Sequence, residues 1–148
     1  MKRFRFQLES VLNYRQQNLD ALIVELDQAQ GRVLSQEYKR DEAFARLAEY
    51  DAAFAEKKAE GITPLEAIEY ESGQQVLDRR AQQEQKLLEQ RRKELDDKRQ
   101  EVIEARQEIH VVEKLKELRR SEYDAAVAKA DEKEIDDLTV SRRAAATG

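Results

Sequence analysis

Residues 60–66 read "EGITPLE", and this stretch decides how the chain folds. Gly61 suits the left-handed conformation that often follows the end of a helix, because glycine has no Cβ to clash there. Thr63 suits the N-cap of a new helix, and Pro64 suits its first helical position. Glu66, three residues after Thr63, completes the pattern of a capping box. The stretch therefore predicts a helix that ends near Gly61 and a second helix that begins at Pro64.

Apolar residues recur at intervals of seven on both sides of this turn. Such heptads are typical of helices that pack in a coiled coil, and a short turn makes the two helices antiparallel neighbours. The sequence therefore predicts an all-α fold, a long antiparallel two-helix coiled-coil hairpin. Its seam positions are Leu12, Leu19, Leu26, Val33, Arg40, Leu47 and Phe54 before the turn, and Leu88, Leu95, Val102 and Ile109 after it.

Boundaries follow from the turn and the heptads. We expect a single elongated domain over residues 1–148, with helix 1 at about 5–58, the turn at 59–63, helix 2 at about 64–138 and a frayed tail at 139–148. Without register breaks, facing residues have numbers that sum to about 123. Phe4 then lies opposite Arg119, and residues 121–148 have no partner from helix 1.

Composition narrows the class of protein. With 40% charged residues, no cysteine and no long apolar run, the chain fits neither a membrane span nor a disulfide scaffold. The N-terminus lacks the apolar region of a secretory signal, so we expect a cytoplasmic protein. Lys and Arg number 27 against 32 Asp and Glu, and this negative balance argues against nucleic acid as a partner.

Residues for catalysis are almost absent from the sequence. There is no cysteine nucleophile and no glycine-rich phosphate loop, and His110 is the single histidine. A lone imidazole cannot build a zinc site by itself. The acidic run "DEKEIDD" at residues 131–137 lacks the glycine and closing glutamate of a calcium loop. The sequence therefore predicts a non-enzymatic protein without a cofactor or a bound metal.

Aromatic residues form two groups, one at the open end of the hairpin and one near the turn. Phe4 and Phe6 either fold back onto the second helix near Leu115 and Leu118 or become buried in another protein. Near the turn, Tyr50 and Phe54 either fill the seam or bind a partner. That second group comprises Phe44, Tyr50, Phe54 and Tyr70.

Several motifs resemble the FliJ family of flagellar export chaperones, and the resemblance covers nearly the whole chain. These motifs are "FRFQLESVLNYR" at residues 4–15, "GIT" at 61–63 followed by Tyr70 and Leu77, "EARQEIHVVEKLKELR" at 104–119, and "EIDDLTVSRRA" at 134–144. Gly73 departs from the family pattern, which usually has a bulky apolar residue there.

The resemblance implies an antiparallel coiled coil similar to the rotor stalk of rotary ATPases. It implies a stalk in the pore of the hexameric flagellar export ATPase that promotes ATPase assembly and hydrolysis. It also implies binding to the cytoplasmic domain of the export gate and to substrate-specific export chaperones. Contact with the inner membrane would then be peripheral, through the export apparatus, and the family has no cofactor.

Site residues carry over from the family pattern to matching positions. The resemblance assigns ATPase binding to a tip that comprises Phe4, Phe6, Leu8 and Leu12 from the first helix and Ile135, Asp136 and Leu138 from the second. It assigns export-gate binding to Leu47, Tyr50, Phe54 and Leu77 near the turn.

Three alternatives remain at this stage. The same architecture fits the equivalent stalk of a virulence type III secretion system, which only genomic neighbours would separate. A homodimeric coiled-coil spacer is a second alternative, although the capped turn favours an intramolecular hairpin. A membrane-surface helix formed by residues 1–8 is the third, but the basic cluster is short and the chain is acidic.

Overall fold

Two α-helices account for almost all of residues 2–147, which the computed structural model describes. Helix α1 spans Glu9–Glu60 and helix α2 spans Pro64–Thr147. The helices pack against each other in antiparallel orientation, and residues 2–147 contain no β-strand. The predicted all-α helical hairpin is confirmed. The outermost residues of the predicted domain, Met1 and Gly148, lie outside the described residues.

The turn between the helices uses the residues that the sequence indicated. Gly61 has a φ of 103°, in the left-handed region, and its N–H donates to the carbonyl of Lys57 at 3.1 Å. At the start of α2, the N–H of Glu66 donates to the Thr63 hydroxyl at 3.2 Å. The N–H of Ala67 donates to the Thr63 carbonyl at 3.0 Å. Thr63 is therefore the N-cap of α2.

The helix ends differ from the expected ones at both open termini. Helix α1 begins at Glu9 and not near residue 5, because residues 2–6 have no helical hydrogen-bonding pattern. Helix α2 continues to Thr147, through the segment 139–147 that we expected to fray. Three alanines at 144–146, the best helix formers, favour this continuation, and helix extension requires no new nucleus.

The chain divides into two compact units. One unit comprises Met1–Asp20 with Glu104–Gly148, and the other comprises Ala21–Ile103. Each contains a stretch of both helices, and we call them the open-end unit and the turn unit. A single elongated domain over the whole chain stays a prediction.

The turn unit has a core of small and medium apolar residues. Ala29 and Val33 of α1 pack with Leu88 and Leu95 of α2. Val33, Leu88 and Leu95 are predicted seam positions. Gln36 is a polar residue in this otherwise apolar core, and it is only 3% exposed. Its side-chain amide donates from Nε2 to the Glu84 carbonyl at 3.0 Å. Buried polar groups are costly unless they are hydrogen-bonded, so this contact favours one register.

An ion pair flanks the turn unit's core on its solvent side. The Lys98 ammonium lies 2.8 Å from the Glu25 carboxylate and 3.0 Å from that of Glu101. The hydrogen bonds that Lys98 donates to these two carboxylates, first of all to Glu25, raise the pKa of Lys98 above its ordinary value. The numbers of the facing residues, 25 and 98, agree with the register predicted from the turn.

The open-end unit has its own small core. Leu12 of α1 packs with Ile109 and Val112 of α2, and Phe6 and Leu19 cover this cluster. Leu12 is only 4% exposed. On the rim of this unit, ion pairs join Arg15 to Glu108 and Lys116 to Glu9. These pairs also agree with the predicted register of α1 and α2.

Replacement of Thr63 with alanine should lower the free energy of unfolding by about 1 kcal/mol, because the Glu66 amide loses its capping partner. Chemical denaturation followed by circular dichroism measures this change. Thr63→Ser is the matched control, because serine keeps the hydroxyl, and it should stay within about 0.5 kcal/mol of the parent. Equal stability of the alanine and serine variants would contradict the assignment of Thr63 as the N-cap.

Candidate functional site

Residues 2–8 precede α1 and lie along α2 in the open-end unit. Residues 2–6 are not helical and residues 7–8 form a turn, so the helical rise of about 1.5 Å per residue does not apply to this segment. The hydroxyl of Tyr123 donates to the Lys2 carbonyl. Phe4 therefore lies beside Tyr123. The helical register predicts Arg119 as its neighbour, one helical turn before Tyr123.

An aromatic assembly holds this segment on α2. The rings of Phe4 and Tyr123 have centroids 5.5 Å apart and are tilted by 51°. The Arg120 guanidinium lies 5.1 Å from the Phe4 ring centroid and 5.9 Å from that of Tyr123. Such tilted ring pairs and cation–π contacts are each worth about 0.5–1.5 kcal/mol. Phe4 thus packs within its own chain and remains partly accessible at the surface.

The other predicted tip residues of α1 have different environments. Phe6 packs against the core of the open-end unit, so it folds back as one of the two interpretations proposed. Leu12 is buried in that core and offers almost no surface to a partner. Leu8 is 37% exposed and lines an open groove. Of the four predicted α1 tip residues, Leu12 is therefore buried, whereas Phe4, Phe6 and Leu8 keep part of their surface.

Two grooves flank the segment formed by residues 2–8. The larger, of about 1250 Å³, is lined by basic and acidic side chains in similar numbers. The smaller, of about 610 Å³, has no acidic residue in its lining. We call the smaller one the basic groove. It is lined by Lys2, Arg3, Phe4, Arg5, Phe6, Gln7, Leu8, Leu115, Arg119 and Tyr123.

The last part of α2 in the open-end unit has no cover from α1. Residues 128–147 are all exposed and all helical. Ile135 is 63% exposed and Leu138 is 54% exposed, and Asp136 between them is also exposed. Ile135 lies 12 residues beyond Tyr123, or about 18 Å along the helix axis. The structure therefore does not bring the two halves of the predicted tip into contact.

A second aromatic cluster lies near the turn, within the turn unit. The Phe54 and Tyr70 rings stack with centroids 5.0 Å apart and an interplanar angle of 7°. The Tyr50 hydroxyl donates to the Tyr70 carbonyl at 2.9 Å, and their rings are 5.8 Å apart. Lys58 covers the other ring surface, with its ammonium 3.8 Å from the Phe54 centroid.

Two of the four residues predicted to bind the export gate, Tyr50 and Phe54, therefore pack against Tyr70. Phe54 is 4% exposed and fills the seam, whereas Leu47, Tyr50 and Leu77 are half-buried. Leu77 lines a shallow groove of about 90 Å³ together with charged residues of both helices. Of the four predicted residues, Phe54 has the least surface for a partner and the other three retain some.

Sequence reasoning missed an exposed apolar stripe at the start of α2. Leu65, Ile68 and Val76 are each at least 60% exposed, and their spacing places them on one helix face. Their helical periodicity was present in the sequence as a signal. It also missed the roles of Tyr70 and Tyr123 as ring partners, since these contacts depend on how α1 and α2 pack.

No group of three His, Cys, Asp or Glu side chains among residues 2–147 is placed to hold a metal ion. Over those residues, no helix has the length and apolar character needed to cross a membrane.

Comparison with known families supplies the decisive observation. The family model described as "Flagellar FliJ protein" matches residues 4–147. The chain belongs to the FliJ family. Comparisons with curated proteins and with solved structures gave no match. The FliJ family serves flagellar type III protein export as a non-catalytic component, and this general role applies to the chain.

Gly73, which departs from the FliJ pattern, has a structural reason in this chain. A Cβ at position 73 would lie 2.1 Å from the Tyr50 hydroxyl oxygen and 2.7 Å from the ring carbon that carries it. Neither distance is tolerable, so a side chain at 73 and the Tyr50 ring exclude each other. Tyr50 here takes the volume that a bulky residue at position 73 would occupy.

Gly73→Ala should be more favourable in a Tyr50→Ala background than in the parent, by about 1–2 kcal/mol of coupling free energy. In the parent, the new methyl group displaces Tyr50 and breaks its bond to Tyr70. In the background without the ring, alanine contributes only its helix propensity, about 1 kcal/mol better than glycine. Denaturation of the four proteins measures the coupling, and additive effects would contradict the proposed exclusion.

Proposed function

We propose that this chain is a stalk of the flagellar export apparatus that binds the pore of the hexameric export ATPase and promotes its assembly and hydrolysis. At its turn end it binds the cytoplasmic domain of the export gate, and it also binds substrate-specific export chaperones. Family membership supports the general role, and the two ends of the hairpin supply chemically distinct surfaces for the finer one.

The exposed end of α2 is the observation that carries the ATPase-binding part of the proposal. Residues 128–147 are helical and exposed in the open-end unit. A helix that is already formed loses little backbone entropy when it enters a pore. Ile135 and Leu138 provide apolar contact area, and Asp136 and its acidic neighbours provide charge.

The side chains of Leu47, Tyr50 and Leu77 support the gate-binding part. They are half-buried, so part of each remains available beside the aromatic cluster. Arg80 and Glu84 extend this surface, with their side chains joined at 3.0 Å. A mixed apolar and charged surface of this kind suits a reversible contact with another protein.

The proposed location follows from the proposed partners. The chain works in the cytoplasm and associates peripherally with the inner-membrane export apparatus through the ATPase and the gate. No membrane insertion is required for these contacts.

Removal of residues 128–148 should reduce stimulation of the export ATPase to the unstimulated rate, while thermal unfolding of the remaining chain is almost unchanged. The removed residues that the structure describes make no buried contact in the open-end unit, so the core around Leu12 stays intact. A steady-state phosphate-release assay with the purified ATPase measures stimulation.

Two variants of the full-length chain accompany this truncation, one that changes the proposed contact and one that serves as the control. Ile135→Asp with Leu138→Asp changes the proposed contact, and Leu34→Asp changes an equally exposed leucine in the turn unit. The first variant should lose at least about tenfold in stimulation, because apolar area is replaced by charge, and the second should keep it. Full stimulation by the truncated chain would exclude the end of α2 as the ATPase-binding surface.

Leu77→Ala should weaken binding to the isolated cytoplasmic domain of the gate by about tenfold, because it removes apolar contact area from the proposed surface. Val76→Ala is the neighbouring control, since Val76 is exposed on another face of α2. Isothermal titration calorimetry measures both affinities, and circular dichroism checks that each variant keeps its helicity. If Val76→Ala weakens binding more than Leu77→Ala does, the gate binds the exposed stripe near Leu65 instead.

A further inference from the structure

We propose that the basic groove also binds the acidic end of α2 from a second copy of the chain, so that two copies form a reciprocal dimer. The acidic end comprises residues 131–138, "DEKEIDDL". Dimer formation itself does not depend on the proposed function. Only its expected effect does, namely that the dimer covers the surfaces proposed to bind the ATPase. Its existence is tested without the ATPase.

The basic groove has the composition of a site for an acidic amphipathic segment. Four cationic side chains surround it, those of Lys2, Arg3, Arg5 and Arg119, and no acidic residue lines it. Aromatic and leucine side chains form the rest of the lining, apart from Gln7. A ligand for this groove therefore needs carboxylates beside apolar groups.

The cations of the groove are available for a partner. Lys2, Arg3 and Arg5 form no ion pair among residues 2–147, and Arg119 pairs only with the exposed Glu122 at 3.5 Å. Exposed pairs of this kind contribute little and exchange readily. A partner's carboxylates would therefore displace no close ion pair except the exposed one of Arg119.

The acidic end has the complementary composition. Five of its eight residues are Asp or Glu, with Lys133 as the one cation. Within the described part of the chain, none of these five carboxylates forms an ion pair, and all are exposed. Ile135 and Leu138 lie among them and are more than half exposed. This segment combines the carboxylates and apolar side chains that the groove requires.

A copy cannot place its acidic end in its own groove. Helix α2 runs without interruption through both regions, from Arg119 in the groove to Ile135 in the acidic end. Those 16 residues span about 24 Å along the axis, and a continuous helix cannot fold back on itself. Only a second molecule can therefore bring this segment to the groove.

Reciprocal binding follows from placing both surfaces on one helix. When two α2 helices approach in antiparallel orientation, the basic residues near 119 of each face the acidic residues near 131–137 of the other. Such an arrangement has twofold symmetry and uses each groove once. The basic groove and the acidic end of each copy are then occupied. The dimer is therefore a storage form, because the ATPase must displace the second copy to bind the acidic end of α2.

A charge-exchange experiment tests the reciprocal contact directly. Variant one carries Arg3→Glu and Arg5→Glu in the groove, and variant two carries Asp136→Lys and Asp137→Lys in the acidic end. Each variant alone should self-associate at least about tenfold more weakly than the parent, because like charges then face each other. An equimolar mixture should recover dimers, since each groove again meets an end of opposite charge. Sedimentation velocity over a concentration series measures this.

Two controls accompany the exchange. Lys86→Glu with Lys93→Glu makes the same charge change on exposed positions of the turn unit and should leave self-association unaltered. The parent dimer should weaken between about 0.1 M and about 1 M salt, since the Debye length falls from about 10 to about 3 Å.

Three outcomes would overturn the proposal. A parent that stays monomeric across the series at low salt excludes the dimer. Dimers that persist in both single variants show another interface, as the coiled-coil spacer alternative would require. Failure of the mixture to associate, with both variants folded by circular dichroism, excludes reciprocal pairing of groove and acidic end. Loss of ATPase stimulation in a separate assay bears on the proposed function alone.

Discussion

The turn at residues 61–63 is the constraint on which the rest of the structure depends. Gly61 takes a left-handed conformation that ends α1, and the Thr63 hydroxyl caps the first amides of α2. Because only three residues separate the helices, the turn fixes which residues of α1 and α2 face each other. In the turn unit this register brings Glu25 to Lys98, and in the open-end unit it brings Arg15 to Glu108.

A two-helix packing buries only one stripe of each helix, so each unit depends on a narrow core. Leu88 is fully buried in the turn unit, where it packs with Ala29, Val33 and Leu95. Polar contacts at the seam therefore contribute more to the choice of helix register than they would in a protein with a wide apolar core. Gln36, held by the Glu84 carbonyl, favours the native register because a shifted helix would leave its amide buried without a partner.

The sequence could predict structural features that repeat along a helix, and it could not predict those that do not repeat. Heptads identified Leu12, Val33 and Leu95 as core positions, because burial in a helix pair repeats every seven residues. Phe4 was misplaced, since the helical register does not apply to the non-helical segment that precedes α1. The burial of Phe54 in the seam agrees with one of its two interpretations, and its stacking on the Tyr70 ring is a contact that heptads do not reveal.

The exposed end of α2 would be a marginal helix as a separate peptide, because helices shorter than about 12–15 residues barely form in water and 128–147 is only slightly longer. In this chain it extends a helix that the core around Ile109 and Val112 already stabilises. The unfavourable nucleation step is therefore complete before residue 128. Binding by Ile135 and Leu138 then costs mainly side-chain entropy, and most of their contact energy contributes to affinity. The packed part of the open-end unit thus keeps residues 128–147 helical while it leaves their side chains exposed.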